Sequence, residues 1–596
     1  MVRLFLIILL SISTAPGIAQ FVKKIDSLIT IYNKAVGDSA KVVACGSLAE
    51  YYYIYQLGRQ GDSVLQEQIK IAELSQNKKL VLATYFGNAV MNINNKWART
   101  ETIDRVLQFI GKGLDYARAE NRDDYVALSH IRIAQINHKK GELVSAFNNA
   151  DIATIISQNI SNDSIKILAT LTKGDIYQAR GESLLAFKTF TNAFENAVEA
   201  NNITLESEAY HRFASLFLSL KNDLTAKEYL LQSLDLNSKY KNGTGLIKDY
   251  IELARLTEDR SYIEKALKLS DSLKAEKYII ESKGLMFGYY AYKIGRSDST
   301  FHFLSNDPDL TKTWINIGLP FYYLNIGQVY QYANNLDSAI YYLKLAQPGF
   351  EKDFKESNRR DLYEAIGQCY LLSQQTQQAI LYYEKALELN SRIHSLGNEV
   401  SYMEVLSRLY GRTQDYKKAF HYSNLGIALK DSLQQLANQR DIALVEVNNE
   451  KRKHERELEI IAKEKITKRN LQYMAITVFI TVFFFLLIVI GMLPISKVTI
   501  KLLGYFTFIS LFEFIILLIE PLLHKLTHGE PLKMWIIKIF LIALLVPMQH
   551  FLEHSLVRYL EDRKKKNILP LKNWWPRTKK PAAEIIDDIE KDTAVL

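Results

Sequence analysis

The sequence predicts an all-α protein: a superhelical solenoid of repeated helix pairs, a long charged helical stalk and a C-terminal three-helix transmembrane domain. Three observations predict it. Between Ala19 and Leu493 proline occurs only at Pro308, Pro320 and Pro348, and since an interior proline costs a helix about 3 kcal/mol, its scarcity suits continuous helical structure. Small and aromatic residues recur through the same region at an interval of about 40 positions. Three apolar runs are crowded beyond Asn470.

The chain has 596 residues, 48% hydrophobic and 23% charged, a folded rather than disordered composition. Its two cysteines, Cys45 and Cys369, lie far apart with no CxxC or Cys/His spacing. Neither a disulfide framework nor a zinc site is indicated, and no metal or cofactor is expected; both thiols are expected to be buried. Residues 1–19 read as a secretory signal: Arg3, an apolar run from Leu4 to Leu10, then Gly17 and Ala19 at the cleavage positions, leaving Gln20 as the new N-terminus. The run is too brief to span a membrane.

The repeat is plainest in "YEAIGQCYLLSQQTQQAILYYEKALELN", Tyr363 to Asn390. Gly367 is a small residue where two helices cross, Tyr370 follows three residues on, and Ala379 falls in the second helix. One repeat upstream these roles fall on Gly327, Tyr330 and Ala339; one repeat downstream Tyr410 and Ala419 take them. An earlier block places Gly174, Tyr177 and Ala186 in the same register, with Ala146 and Ala226 to either side. Ala266 and "FGYYAYKIG" around Gly288 are weaker members that bridge the blocks, and before Asp124 the pattern is loose. This small, aromatic, small pattern resembles the tetratricopeptide repeat family over residues 20–433. The spacing exceeds the usual repeat of about 34 residues, so longer helices or longer turns must absorb the difference. Ser391 stands where a proline commonly closes the repeat.

The resemblance implies a right-handed solenoid whose groove, lined by the first helix of each repeat, recognises a protein or peptide. Gln135, Asp175, Gln328, Gln368 and Arg408 follow the small residue of that helix, where they either hydrogen-bond an extended backbone or are simply solvated. Family members that clamp a chaperone's C-terminal carboxylate use a Lys and Asn pair on this face. Here those places read His211 with Ser215 and Glu364 with Gln368, which does not support that ligand. No nucleophile, base and orienting group can be assembled from the motifs, so an enzyme is not expected.

From "ALKDSL" (Ala428 to Leu433) the chain continues without glycine or proline into "EKRKHERELEIIAKEKITKRN", giving a charged stalk over residues 434–470. A coiled-coil seam through Leu433, Leu436, Ala443, Val447, Leu458 and Ile461 offers homodimerisation; a solvated single helix is the alternative. Apolar runs at 471–493, 502–523 and 534–552 predict three spans, and the basic tail 553–596, with Trp574 and Trp575 among lysines, places the C-terminus in the cytoplasm against lipid, where it offers a site for a signalling partner. No nucleic-acid module accompanies these charges. Glu513, Glu520 and Lys538 fall inside the spans. Glu520 and Lys538 suit mutual neutralisation, and Glu513 suits either a hydrogen bond to Thr477 or Thr481 or an ion-coupled role. His524 with His528, and His550 with His554, are too far apart in sequence to form one metal centre within a hairpin.

A signal peptide, repeats, charged helix and span resemble the sensory half of bacterial repeat-containing sensor histidine kinases, from Met1 to about Leu493, without the kinase. The sequence therefore predicts a non-enzymatic multi-pass protein of a Gram-negative inner membrane, its repeats periplasmic. It would serve recognition in envelope signalling or scaffolding. The alternatives are a sensory subunit acting through a separate kinase or regulator, and an ion-coupled transport component using Glu513.

Overall fold

The computed structural model describes residues 16–490, except 55–57, 94–99, 295, 307, 354–355 and 394, and scattered residues beyond 490 as far as Arg558. All secondary structure among the described residues is helical. The helices are α1 (Pro16–Lys34), α2 (Asp38–Ile54), α3 (Gly58–Leu74), α4 (Lys78–Ile93), α5 (Thr100–Ala119), α6 (Asp123–Lys140), α7 (Leu143–Gln158), α8 (Asp163–Ala179), α9 (Ser183–Glu199), α10 (Ile203–Ser219), α11 (Asp223–Lys239) and α12 (Gly243–Thr257). They continue as α13 (Arg260–Ser272), α14 (Glu276–Gly288) with a π-helical turn over Tyr289–Ile294, α15 (Ser297–Asn306), α16 (Pro308–Ile317), α17 (Leu319–Tyr332), α18 (Leu336–Asp353), α19 (Glu356–Leu372), α20 (Thr376–Ile393), α21 (Leu396–Arg412) and α22 (Tyr416–Ile490). The chain divides into two compact units, residues 1–451 and 452–596.

In the first unit consecutive helices pack as pairs, and α6, α8 and α10 also touch one another across the intervening helices. This is a solenoid in which each pair contacts its neighbours. The longer repeat is absorbed by the helices, because α8, α9, α10 and α11 are each 17 residues long and three residues make each turn between them. Each such turn closes one helix, and those that end in asparagine also cap the next. At Asn201 the backbone adopts φ +50°, the amide of Asn202 returns to the carbonyl of Ala197, and the Asn202 side chain accepts from the amide of Leu205. One residue thus completes a left-handed C-terminal closure and the following N-cap. Asn222 and Asn242 repeat the arrangement.

The repeat alanines Ala146, Ala186, Ala226, Ala339 and Ala379 are all fully buried. Gly174 meets the Phe190 ring so closely that a methyl group there would overlap it, and a Cβ on Gly327 would lie 2.7 Å from Leu343. At Gly367 the nearest ring carbon, on Tyr383, would stand 3.1 Å away. Tyr177 meets Phe147 edge-on at 5.6 Å. Tyr330, Tyr370 and Tyr410 stack on Tyr342, Tyr382 and Tyr422 at 5.5, 5.7 and 5.7 Å between centroids. Ala419 is partly buried and its carbonyl accepts from the Ser407 hydroxyl. The bridge between the blocks is where regularity fails: α15 and α16 have only ten residues each, next to the π-helical turn. Pro308 and Pro320 sit at helix starts, where a missing amide is tolerated, and Pro348 lies inside α18. Pairing extends ahead of Asp124, with α2 packed on α3 and α4 on α5. Both cysteines are free and buried; burial pushes the Cys369 thiol up to about 12 and that of Cys45 to about 11.

In the second unit the described part of α22 is charged and exposed as far as Asn470, with local pairs such as Lys453–Glu457. Among the described residues no helix is long and apolar enough to cross a membrane. This corrects the inner-membrane, periplasm-facing placement and leaves the three-helix transmembrane domain without support. The residues from Leu471 to Ile490 are the end of α22, continuous with its charged part, as the uninterrupted sequence predicts. About half of 502–523 and of 534–552 lies outside the described residues, as do Glu513, Glu520, His524, His528, the signal residues 1–15 and the tail beyond Arg558. Lys538 is half-buried. The Thr477 and Thr481 hydroxyls donate to carbonyls of their own helix, those of Tyr473 and Thr477. His554 lies 3.3 Å from an Arg558 nitrogen.

Candidate functional site: a polar ladder on the first helices

The first helices of successive repeats are joined by side chains about one repeat apart. Gln135 on α6 donates to the Thr172 hydroxyl on α8 at 3.3 Å. Asp175 on α8 accepts from Arg212 on α10 at 3.0 Å, and Gln178 donates to Ser215 at 3.2 Å. Glu208 on α10 receives Arg212 at 2.7 Å and Lys248 of α12 at 2.6 Å. Arg255 of α12 then reaches Glu281 of α14 and Glu252 of its own helix.

Electrostatically the middle of the ladder is self-neutralising. Burial opposes ionisation of Glu208, yet the charges of Arg212 and Lys248 outweigh it and hold the carboxyl down at about 2. Arg212 is held more firmly protonated by Asp175 first and Glu208 second. Arg132, on α6, differs. Its Nη1 donates to Gln135 at 2.8 Å, its Nε is buried without a hydrogen-bond partner, and burial pulls its pKa down to about 10. A desolvated guanidinium with an unsatisfied donor is costly unless an acceptor reaches it.

Of the five positions read from the sequence, Gln135 and Asp175 enter this ladder. Gln328 accepts from the Tyr292 hydroxyl at 3.1 Å and Gln368 from Gln331 at 2.9 Å, which makes a shorter ladder in the second block. Arg408 donates to the carbonyl of Glu404 on its own helix. Sequence reading missed Arg132, Arg212, Glu208 and Lys248; the available signal was the offset of about one repeat between opposite charges, Asp175 with Arg212 and Glu208 with Lys248.

Behind the ladder lies a buried cluster whose composition suggests chemistry. Asp249 accepts from Ser233 at 2.6 Å and lies 2.9 Å from His211 Nε2. The serine donates to the carboxylate and not to the histidine, which is not the serine–histidine–aspartate order of a triad. The cluster ties α10, α11 and α12 together. Among the described residues no group of three or more His, Cys, Asp or Glu side chains is placed to hold a metal ion.

The tetratricopeptide repeat model matches residues 207–240 and 361–392. No curated protein matches the sequence. Among solved structures, the chain is similar to a signal transduction ATPase with numerous domains from Pyrococcus horikoshii that has a tetratricopeptide repeat sensor, at 11% identity and TM-score 0.36, over 67% of this chain and 55% of that one. It therefore spans about half the length of that protein. It is also similar to the apo quorum sensor NprR from B. thuringiensis, at 13% identity and TM-score 0.36, over 58% of this chain and 97% of that one. Aspartyl phosphate phosphatase F from Bacillus subtilis matches at 14% identity and TM-score 0.31, over 66% and 95% of the two chains. No TM-score here reaches 0.5, so no ligand or activity transfers from these likenesses. What the matched residues and the helix pairs together establish is a chain carrying tetratricopeptide repeats within an all-helical solenoid.

Proposed function

We propose that this chain is a recognition protein whose first-helix face binds a peptide or protein segment carrying a carboxylate, without catalysing a reaction on it. Arg132 carries the reading. From Asp175 to Lys248 the ladder satisfies its own charges, whereas among the described residues no carboxylate pairs with the Arg132 guanidinium and its buried Nε donor is unused. A carboxylate at that point would supply the acceptor, and a charge-assisted pair with arginine is among the stronger hydrogen-bonded contacts. Gln135, beside it, offers an amide to the same segment. In the buried Ser233, His211 and Asp249 cluster the histidine does not reach the serine, and the three side chains tie helices together, which favours binding over chemistry.

Selection of phage-displayed short peptides on the purified full chain tests this. Enrichment of acid-bearing sequences is expected, with affinity falling by roughly tenfold or more on Arg132→Ala. Selection that yields no binders, or binders indifferent to both Arg132→Ala and Gln135→Ala, overturns the reading.

A further inference from the structure

The stalk is not free of the repeats. Residues 431–442 of α22 are almost all exposed, but from Ala443 one face of the helix turns inward and Val447 is completely buried. Val447 belongs to the core cluster that includes Phe217 and Tyr229, with Ala443 and Leu444 packed against it. Two ion pairs flank this contact: Glu450 with Lys188 of α9, and Lys451 with Glu228 of α11, both at 3.6 Å. Lys451 also places its ammonium over the Tyr229 ring at 5.2 Å and the Phe217 ring at 5.9 Å, a favourable cation–π arrangement.

The second block explains what is unusual here. Its stacked tyrosines come from positions twelve residues apart, and lysines of the repeats themselves cover them: Lys344 over Tyr370, Lys385 over Tyr382 and Lys418 over Tyr410. Phe217 and Tyr229 are the same kind of stack, 5.6 Å apart and nearly parallel. Their lysine arrives from a helix more than two hundred residues away in the sequence. Both ion-pair partners on the repeats are half exposed or more, so the pairs are weak contacts that salt screens. One buried valine anchors the segment.

We infer that α9, α10 and α11 form a helix-binding site, distinct from the first-helix ladder, which the segment Ala443–Lys451 occupies as a releasable intramolecular ligand. The ligand class is an amphipathic helix with a small residue, a valine-sized residue and a lysine at successive intervals of four, so that all three share one face. While the segment is seated the site is masked; release exposes the aromatic stack and the apolar face of α22 together.

The test uses a fluorescent peptide spanning residues 438–456 and the purified full chain, in its native form and as Val447→Glu. The glutamate unseats the resident helix without touching the repeats, so the peptide is expected to bind the variant at least tenfold more tightly than the native chain. Glu228→Lys, combined with Val447→Glu, should weaken that binding several-fold and regain it with a peptide carrying Lys451→Glu. An unchanged thermal unfolding profile of the repeats confirms that the variant is folded; Lys451→Ala, a milder release, is the second route should it not be. No peptide binding to either opened chain overturns the site, and equal affinity for native and opened chains overturns the masking.

Discussion

Asn237 donates to Asp249 at 2.7 Å, and neither side chain has any exposure to solvent. The same carboxylate receives Ser233 and lies against His211, while Asn237 reaches Ser207 and accepts from Asn242, so a single polar knot spans α10, α11 and α12. A buried network of this kind stabilises only while every member is satisfied. Replacing Asp249 with alanine removes the common acceptor and should cost about 3 kcal/mol, against a smaller loss for Asp249→Asn. Urea unfolding measures the loss, and hydrogen exchange should locate it in α10–α12; protection spread evenly over the repeats would contradict the account.

Glu208 makes the same region sensitive to acid. Its carboxyl titrates at about 2 when folded, against 4.5 as its ordinary value. A depressed carboxyl contributes stability that is complete above the unfolded value and is lost as pH falls toward the folded one. The window is therefore pH 4.5 down to about 2, and the contribution is on the order of 3 kcal/mol. Glu208→Gln should lower the melting temperature above pH 5 and flatten its pH dependence across that window. A variant with the native acid slope would remove Glu208 from the explanation.

Much of the architecture was legible because burial imposes a period on residue size. Ala146, Ala186 and Ala226 lie one repeat apart, and a larger side chain at any of them would have to push two helices apart; that constraint shows in a single sequence. The ladder showed only one side of each contact. Asp175 and Gln135 were visible as polar positions on a first helix, but Arg212 and Thr172 answer them from the next repeat, and nothing local to either residue announces the pairing. Val447 failed differently. Its heptad spacing correctly marks an apolar face, yet spacing does not say what covers that face, and in this fold the repeats cover it. The uninterrupted helix from the last repeat through Asn470 into the apolar residues was legible from the lack of glycine and proline, whereas among the described residues no helix is long and apolar enough to cross a membrane.

Two glycines should respond to the same substitution with opposite signs. A methyl at Gly174 overlaps the Phe190 ring, whereas one at Gly111, in α5, meets nothing within 4 Å. Gly174→Ala should therefore destabilise by about 1–3 kcal/mol through overpacking. Gly111→Ala should stabilise by roughly 0.5–1 kcal/mol, since alanine restricts the unfolded chain and favours helix. Denaturant midpoints of the two variants decide the matter, and a loss at Gly111 would show that helix α5 has a neighbour there.

The turns offer the last comparison, because equivalent left-handed positions carry different residues. Gly141 and Gly181 adopt φ +83° and +79°, while Lys221, in the next turn of the same kind, holds φ +59° with a side chain attached. A left-handed backbone costs an L-residue with a Cβ about 1–2 kcal/mol and costs glycine far less. Lys221→Gly should consequently stabilise the turn, with part of the gain returned as unfolded-chain entropy, for a net of a few tenths to about 1 kcal/mol. Gly181→Val should lose more than 1 kcal/mol, because a β-branched residue is the least suited to positive φ. The turn amides should keep their partners in both variants, because Asn222 returns to the Phe217 carbonyl and Glu182 to that of Tyr177 through the backbone. The difference in thermal stability between the two therefore reports backbone strain together with unfolded-chain entropy and not a change of hydrogen bonds, and equal effects at Lys221 and Gly181 would mean that the two turns are not interchangeable.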